Sequence, residues 1–167
     1  NFGYNGSERF YKTDRFGFFP SAGVAWYVSN EKFWEPLQSV VSKLKLRATY
    51  GLVGNDAIGR PQDRFFYLSD INMNDGNRGA SFGKEGGYYR SGITISRYDN
   101  KDITWETATK TNLGIELGLL NKIDVLIDLY KEDRKNILMD RTGIPSYMGL
   151  EAGVKANVGA ASGKGID

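Results

Sequence analysis

Cysteine and histidine are both missing from this sequence. No disulfide can brace the fold and no thiolate can hold a metal. The commonest general base and the commonest metal ligand are gone as well, which weighs against an enzyme. Proline is scarce, at 4 residues, and runs of helix-forming Ala, Leu and Glu are lacking. No stretch of about 18 apolar residues occurs, so no transmembrane helix is expected. The N-terminal N-F-G-Y-N-G-S has neither the charged region nor the apolar region of a signal peptide. The sequence is therefore expected to be a cytoplasmic protein, or else a mature or internal piece of something longer. An excess of charge is missing too. The 22 basic and 20 acidic residues leave +2, and no basic stripe stands out, so nucleic acid is not expected as a partner.

What is present points to β structure. Among 167 residues, enough for one domain with a sizeable core, there are 21 glycines, 10 tyrosines and 9 phenylalanines. Such enrichment favours strands and tight turns. In S-K-L-K-L-R-A-T-Y-G-L-V-G-N, from Ser42 to Asn55, the residues Leu44, Leu46, Ala48, Tyr50 and Leu52 fall on alternate positions. Lys43, Lys45, Arg47, Thr49 and Gly51 lie between them. The period of two predicts a strand over about 42–53 with one apolar and one cationic face.

Gly17–Ser29 predicts another strand, with Ala22, Val24, Trp26 and Val28 on one face. Pro20 is expected near its end, since proline cannot donate to a ladder. Asn30 is placed to cap a short helical turn stopped by Pro36. Two further strands run from Thr107 to Leu119 and from Ile123 onward, joined by only L-N-K. Paired residues must share a face, so Leu119 should oppose Ile123, Leu117 should oppose Val125 and Ile115 should oppose Ile127. Lys110 then meets Glu132 as an opposite-charge pair. The first residues read as the end of a strand and N-V-G-A-A-S-G-K-G-I-D as the start of one. That makes about six strands, with an irregular, Gly/Asn/Asp-rich connection over 56–103. A connection of that length within one domain tends to be functional.

Two architectures compete. A soluble β-sandwich, as a carbohydrate-binding or adhesin module, would bury the apolar faces against each other. A transmembrane barrel would turn them to lipid and turn Lys45, Arg47, Lys110, Asn112, Glu116, Asp124 and Asp128 towards a watery lumen. Three features favour the barrel. Twelve-residue strands reach about 40 Å, enough to cross a bilayer at a tilt. Connections alternate between shorter (29–41, 120–122) and longer (53–104, 138–154). Phe18, Phe19, Trp26, Tyr27, Phe33, Trp34 and Trp105 gather near strand ends, as interfacial girdles do.

Five ordered blocks carry a more specific signal: R-F-G-F-F-P-S-A-G-V-A-W-Y-V-S-N-E-K-F, L-K-L-R-A-T-Y-G-L-V-G-N, N-L-G-I-E-L-G-L-L-N, I-D-L-Y-K-E-D-R-K-N-I-L and N-V-G-A-A-S-G-K-G-I-D. Together they resemble the barrel of SusC/RagA-type TonB-dependent outer-membrane transporters, over nearly the whole chain except about 56–103. The resemblance implies an all-β, antiparallel barrel of the 22-stranded class whose lumen is plugged, importing oligosaccharides or peptides. It implies TonB as the energy source, a SusD-like surface lipoprotein over the mouth, and a bilayer with lipopolysaccharide around the wall. The 167 residues would be one partial barrel domain with 56–103 as an extracellular loop. The plug and the TonB-contacting segment have no counterpart here.

Other motifs are weak. Asp70–Gly76 hints at a calcium loop, but the glycine is seventh rather than sixth and Ser81 stands where a glutamate is needed. Gly159–Gly165 is one residue short of a phosphate loop, with Gly165 in place of the magnesium-binding hydroxyl. Asp124 and Asp128 share a face, but four residues of strand hold them roughly 13 Å apart, too far for a glycosidase pair. Phe65, Phe66, Tyr88 and Tyr89 are candidates for stacking on sugar rings, or equally for anchoring the long loop. No catalytic residue, metal ligand or cofactor emerges.

Overall fold

The structure is a computed structural model describing residues 1–61 and 63–167. Gln62, inside the expected 56–103 loop, lies outside the described residues. Among the described residues eight strands follow in chain order: β1 (Phe2–Gly6), β2 (Phe16–Tyr27), β3 (Val41–Asn55), β4 (Asp70–Phe82), β5 (Tyr88–Arg97), β6 (Glu106–Leu119), β7 (Ile123–Asp140) and β8 (Lys155–Ile166). Six of them form one antiparallel sheet in the order β1-β2-β3-β6-β7-β8. Adjacent strands along the chain are adjacent in the sheet except where β4 and β5 intervene. Those two make a separate two-stranded hairpin within the long connection.

The register expected from parity is the register found. Leu119 opposes Ile123, Leu117 opposes Val125, Ile115 opposes Ile127 and Lys110 opposes Glu132. The turn between them is tight. Lys122 N–H donates to Leu119 O at 3.0 Å, and Leu120 and Asn121 both have φ of +53°. Two consecutive left-handed residues match the right-handed twist of the flanking strands.

Pro20 departs from expectation: it lies within β2, not at its end. It sits where β2 changes partners. The ladder to β1 runs up to Pro20 opposite Phe2, and the ladder to β3 begins at Ser21 opposite Gly51. Ser21 exchanges both bonds with Asn1 (2.8 and 2.9 Å). Strand alternation therefore points the missing Pro20 N–H to the other side, where β3 is not yet paired. Asn30 does not cap the helical turn either. The 3₁₀ turn is Lys32–Leu37, its N-cap is Glu31 without a side-chain bond, and Pro36 lies inside it. Trp34 Nε1 holds this connection to the start of β3 by donating to Val41 O at 3.1 Å.

The 56–103 stretch is not structureless, because β4 and β5 pair within it. Its Asn/Asp/Gly-rich first strand conceals the alternation, and the pairing slips at three places between Asp70 and Ala80. The strand after Ile123 also extends past Ile137 to Asp140. It does so through an irregularity at Asn136, whose φ of +58° breaks the period of two.

The main buried cluster sits at one end of the sheet. Phe10, Phe19, Ile58, Phe66, Ile103 and Trp105 pack together with Leu52 and Leu138 against them. Phe19 and Trp105 meet edge-on at 5.2 Å. Both were expected in a surface girdle; they instead join this cluster, which ties the 7–15, 56–69 and 98–105 connections to the strand ends.

Candidate functional site: a two-faced wall

Alternation sorts the six-stranded sheet into two faces. On one lie Val24 and Trp26 of β2, Leu44, Leu46 and Tyr50 of β3, Leu113, Ile115 and Leu117 of β6, and Val125, Ile127 and Leu129 of β7. Cross-strand register lines them up in rows, such as Trp26–Leu46–Ile115–Ile127. No second sheet covers this face among the described residues, and Val24 is 73%, Tyr50 59% and Leu113 50% exposed. At about 25 cal/mol per Å², an uncovered apolar face of this extent is strongly unfavourable in water. A soluble sandwich buries such a face between its sheets; the single sheet does not.

The opposite face is polar and paired. All seven residues singled out from the sequence, Lys45, Arg47, Lys110, Asn112, Glu116, Asp124 and Asp128, share it by register. Glu116 is gripped by Lys43 and Lys45, each at 2.9 Å. Lys110 meets Glu132 at 3.5 Å. Arg47 of β3 pairs with Asp128 of β7 across the intervening β6. Gly114 makes this reach possible, because a Cβ there would run into Arg47 Nε and come within 2.8 Å of Asp128 Oδ1. Gly118 leaves a similar gap, 2.9 Å from Lys43 Cβ and 3.2 Å from Asp124 Oδ1.

Arg134, Glu106 and Tyr27 were not assigned to this face from the sequence. Arg134 bridges Glu132 and Glu106, and Tyr27 receives the Lys45 ammonium 5.0 Å above its ring. Parity with Asp128 was the available signal for Arg134. The cations of this face are largely neutralised within the wall, so they do not form a free anion-attracting strip.

The connections separate by end. Residues 28–40 and 120–122 lie at one end; 7–15, 56–105 and 141–154 lie at the other. The β4–β5 hairpin is fastened at the latter end by acidic residues. Glu151 accepts from Ile95 N–H at 2.8 Å and faces Arg78 at 3.8 Å. Asp63 accepts from Arg60 N–H and Lys155 Nζ, both at 3.1 Å, and faces Arg97 at 3.9 Å. Burial works against the Asp63 carboxylate, yet the Arg60 amide, Lys155 and Arg97 outweigh it and hold its pKa below the ordinary value. Asn157 clamps the base. It accepts from Thr104 N–H at 3.0 Å and donates to Thr104 O at 3.0 Å and Asn136 O at 2.7 Å.

The four loop aromatics divide. Phe66 is 1% exposed within the core cluster, which is the anchoring role. Phe65, Tyr88 and Tyr89 are exposed. Tyr88 lies under Arg90, and the Tyr89 hydroxyl donates to Gly76 O. Asp70–Gly76 belongs to strand β4, and the Asp75 oxygens accept from Asn77 N–H and Thr94 Oγ1, both at 2.9 Å. Gly159–Gly165 is extended in β8.

Comparison with known proteins agrees with this geometry. The chain is 32% identical over 165 residues to the TonB-dependent receptor SusC of Bacteroides thetaiotaomicron, covering 98% of this chain and 16% of SusC. It is 26% identical over 164 residues to TonB-dependent receptor P3 of Formosa agariphila, covering 98% and 15%. The chain thus spans about a sixth of the length of these curated relatives. Among solved structures, the RagAB peptide transporter superposes with a TM-score of 0.71 at 25% identity, over 96% of this chain and 16% of that one. The RagAB peptide importer in its closed-closed state gives 0.74 at 24% identity, over 98% and 16%. The family model described as TonB dependent receptor-like, beta-barrel, matches residues 1–167, and the chain belongs to that family as a partial barrel.

Proposed function

We propose that this chain is a section of the wall of a TonB-dependent importer in a bacterial outer membrane. The exposed apolar face lies in the bilayer, and the ion-paired face lines the lumen of a barrel of the 22-stranded class. The single observation that carries the reading is the uncovered apolar face backed by a paired polar one on a single sheet. An open sheet edge would leave backbone N–H and C=O groups unpaired in hydrocarbon, so β1 and β8 continue into further strands of the same wall. The longer connections, with the hairpin, project outside the cell, and the 120–122 turn faces the periplasm, as in barrels generally.

Transport is driven through TonB, with a SusD-like surface lipoprotein over the mouth. The cargo is an oligosaccharide or a peptide; the peptide alternative is supported by the RagAB relatives. The wall binds and guides the cargo without covalent chemistry. The test is labelling of single cysteines in the membrane-embedded protein. Cysteine at Leu46, Ile115 or Ile127 should react with a lipid-soluble reagent, and cysteine at Thr49 or Asn112 with a water-soluble one. The reverse pattern would overturn the reading. An epitope inserted near Asn77 should be detected on intact cells, and one at Asn121 should not.

A further inference from the structure

We infer that three uncharged side chains in one row of the lumenal face, Thr49, Asn112 and Tyr130, form a contact site for a neutral sugar chain. Thr49 of β3 stands opposite Asn112 of β6, and Asn112 opposite Tyr130 of β7. Neighbouring strands lie about 4.8 Å apart, so the row is about 10 Å wide. Each of these three strands has both of its sheet neighbours within this chain. Thr49 and Tyr130 are exposed and Asn112 is half-buried. None of their side chains takes part in a hydrogen bond among the described residues. A Cβ at Gly165 would run into the Tyr130 ring, so the ring leans over that glycine, along the wall.

The rows on either side say which ligand. One step towards the 120–122 turn, Arg47 and Asp128 neutralise each other over Gly114. One step the other way, Lys110 meets Glu132 beside Gly51. Both rows spend their charges on internal pairs, whereas the row between them presents a hydroxyl, a carboxamide and a phenol. A peptide brings charged termini and side chains and finds no counter-charge here; a charge left unpaired away from bulk water is costly. A neutral sugar brings hydroxyls that both donate and accept, which suits Thr49 and Asn112. Its C–H-rich ring face packs on an aromatic ring such as Tyr130. This inference rests on the lumenal reading above, and of its two cargo classes it selects an uncharged oligosaccharide.

Uptake by cells that express the full-length protein from its own gene, with its partner lipoprotein, tests the site. The probes are tritiated short oligosaccharides of glucose, mannose and xylose, and tritiated short peptides with free termini. The wild type should import at least one of the saccharides in preference to the peptides. Asn112→Ala and Tyr130→Ala should each lower that uptake about tenfold, and Tyr130→Phe, which keeps the ring, should lower it less. Variants are compared at equal surface amounts, read from an epitope near Asn77. Thr49→Val, which keeps the shape and removes only the hydroxyl, serves where an alanine variant does not assemble. Preference for the peptides, import of no probe, or unchanged saccharide uptake in the variants would each overturn the site. Passive entry of vancomycin in the variants would mean that the row seats the plug, and would overturn it too. Thr49→Cys separates the two levels. If it reacts with a water-soluble reagent and the other variants import saccharide normally, the sugar site alone falls. If only a lipid-soluble reagent reaches it, the lumenal reading falls, and the site with it.

Discussion

Arg47 on β3 and Asp128 on β7 form an ion pair over the top of a strand that lies between them. The pair exists because Gly114, buried beneath it, contributes no side chain. Gly114→Ala should therefore break the pair about as thoroughly as Arg47→Ala. Each should lower the unfolding free energy of the detergent-solubilised protein by about 1–2 kcal/mol, since both partners are part-exposed and only part of the charged hydrogen bond's value is realised. The two effects should not add: the double variant should unfold at nearly the same denaturant concentration as either single one. Full additivity would mean that Gly114 does something other than clear the way for Arg47.

The loop end carries a pH-dependent fastening. Asp63 has its pKa depressed in the folded protein, against the pull of burial, by the Arg60 amide and by Lys155 and Arg97. A depressed carboxylate stabilises above its unfolded pKa and loses that contribution as pH falls through the folded value. The fastening is thus intact at neutral pH and is lost only below the ordinary carboxylate range, under about pH 4. Amide protection in residues 63–69, measured against the intrinsic exchange rate at each pH, should fall on acidification through that range. Asp63→Asn should show the lower protection already at pH 7 and lose the pH step.

Phe66 and Tyr88 were equivalent candidates in the sequence, and the fold makes them opposites. Phe66→Ala removes a fully buried ring and should cost about 3–5 kcal/mol, opening the 56–69 connection to limited proteolysis. Tyr88→Ala removes an exposed ring and should leave the digestion pattern unchanged. Similar protease sensitivity in both variants would contradict the division.

The turn at Leu120–Asn121 holds a leucine in a left-handed conformation, with φ of +53°. Asparagine tolerates that region better than leucine. Leu120→Asn should raise stability by roughly 0.5–1 kcal/mol, read as a higher midpoint in heat-modifiability gels. A lower midpoint would indicate that the exposed Leu120 side chain has a packing role in the assembled wall.

How much of this was legible in the sequence depends on how local the information is. The β6–β7 register followed from parity and a three-residue connection, because adjacent strands with a short turn leave one alignment that keeps the apolar residues together. The two-faced character of β3 was equally plain. Arg47–Asp128 was not, because it links strands that never pair, and its enabling residue is a glycine that reads as a gap in the pattern. The β4–β5 hairpin was hidden for another reason: its ladder slips at three places, so no single period runs through Asp70–Phe82. At Asn136 a left-handed residue resets the alternation, which a period count cannot cross. Phe66 looked like any aromatic in a polar loop, since its burial comes from Phe10 and Trp105, distant in sequence.

Leu126 and Ile127 provide the sharpest test of the two faces. They are neighbours in β7, both apolar and both exposed. By register, Ile127 stands with Ile115 and Leu46 on the apolar face, whereas Leu126 stands opposite Glu116 among the charged residues. Composition cannot separate them, and a soluble sheet exposed on both sides would treat them alike. In a membrane wall they differ sharply. Ile127 lies near the middle of the run Ile123–Leu129, so arginine there must enter hydrocarbon and should cost about 2–4 kcal/mol. Arginine at Leu126 enters a watery lumen beside Glu116 and should cost nearly nothing. Folding titrations of the two variants into phospholipid vesicles would measure the difference. Equal penalties would remove the assignment of lipid to one face and water to the other; a penalty confined to Ile127→Arg would fix it residue by residue.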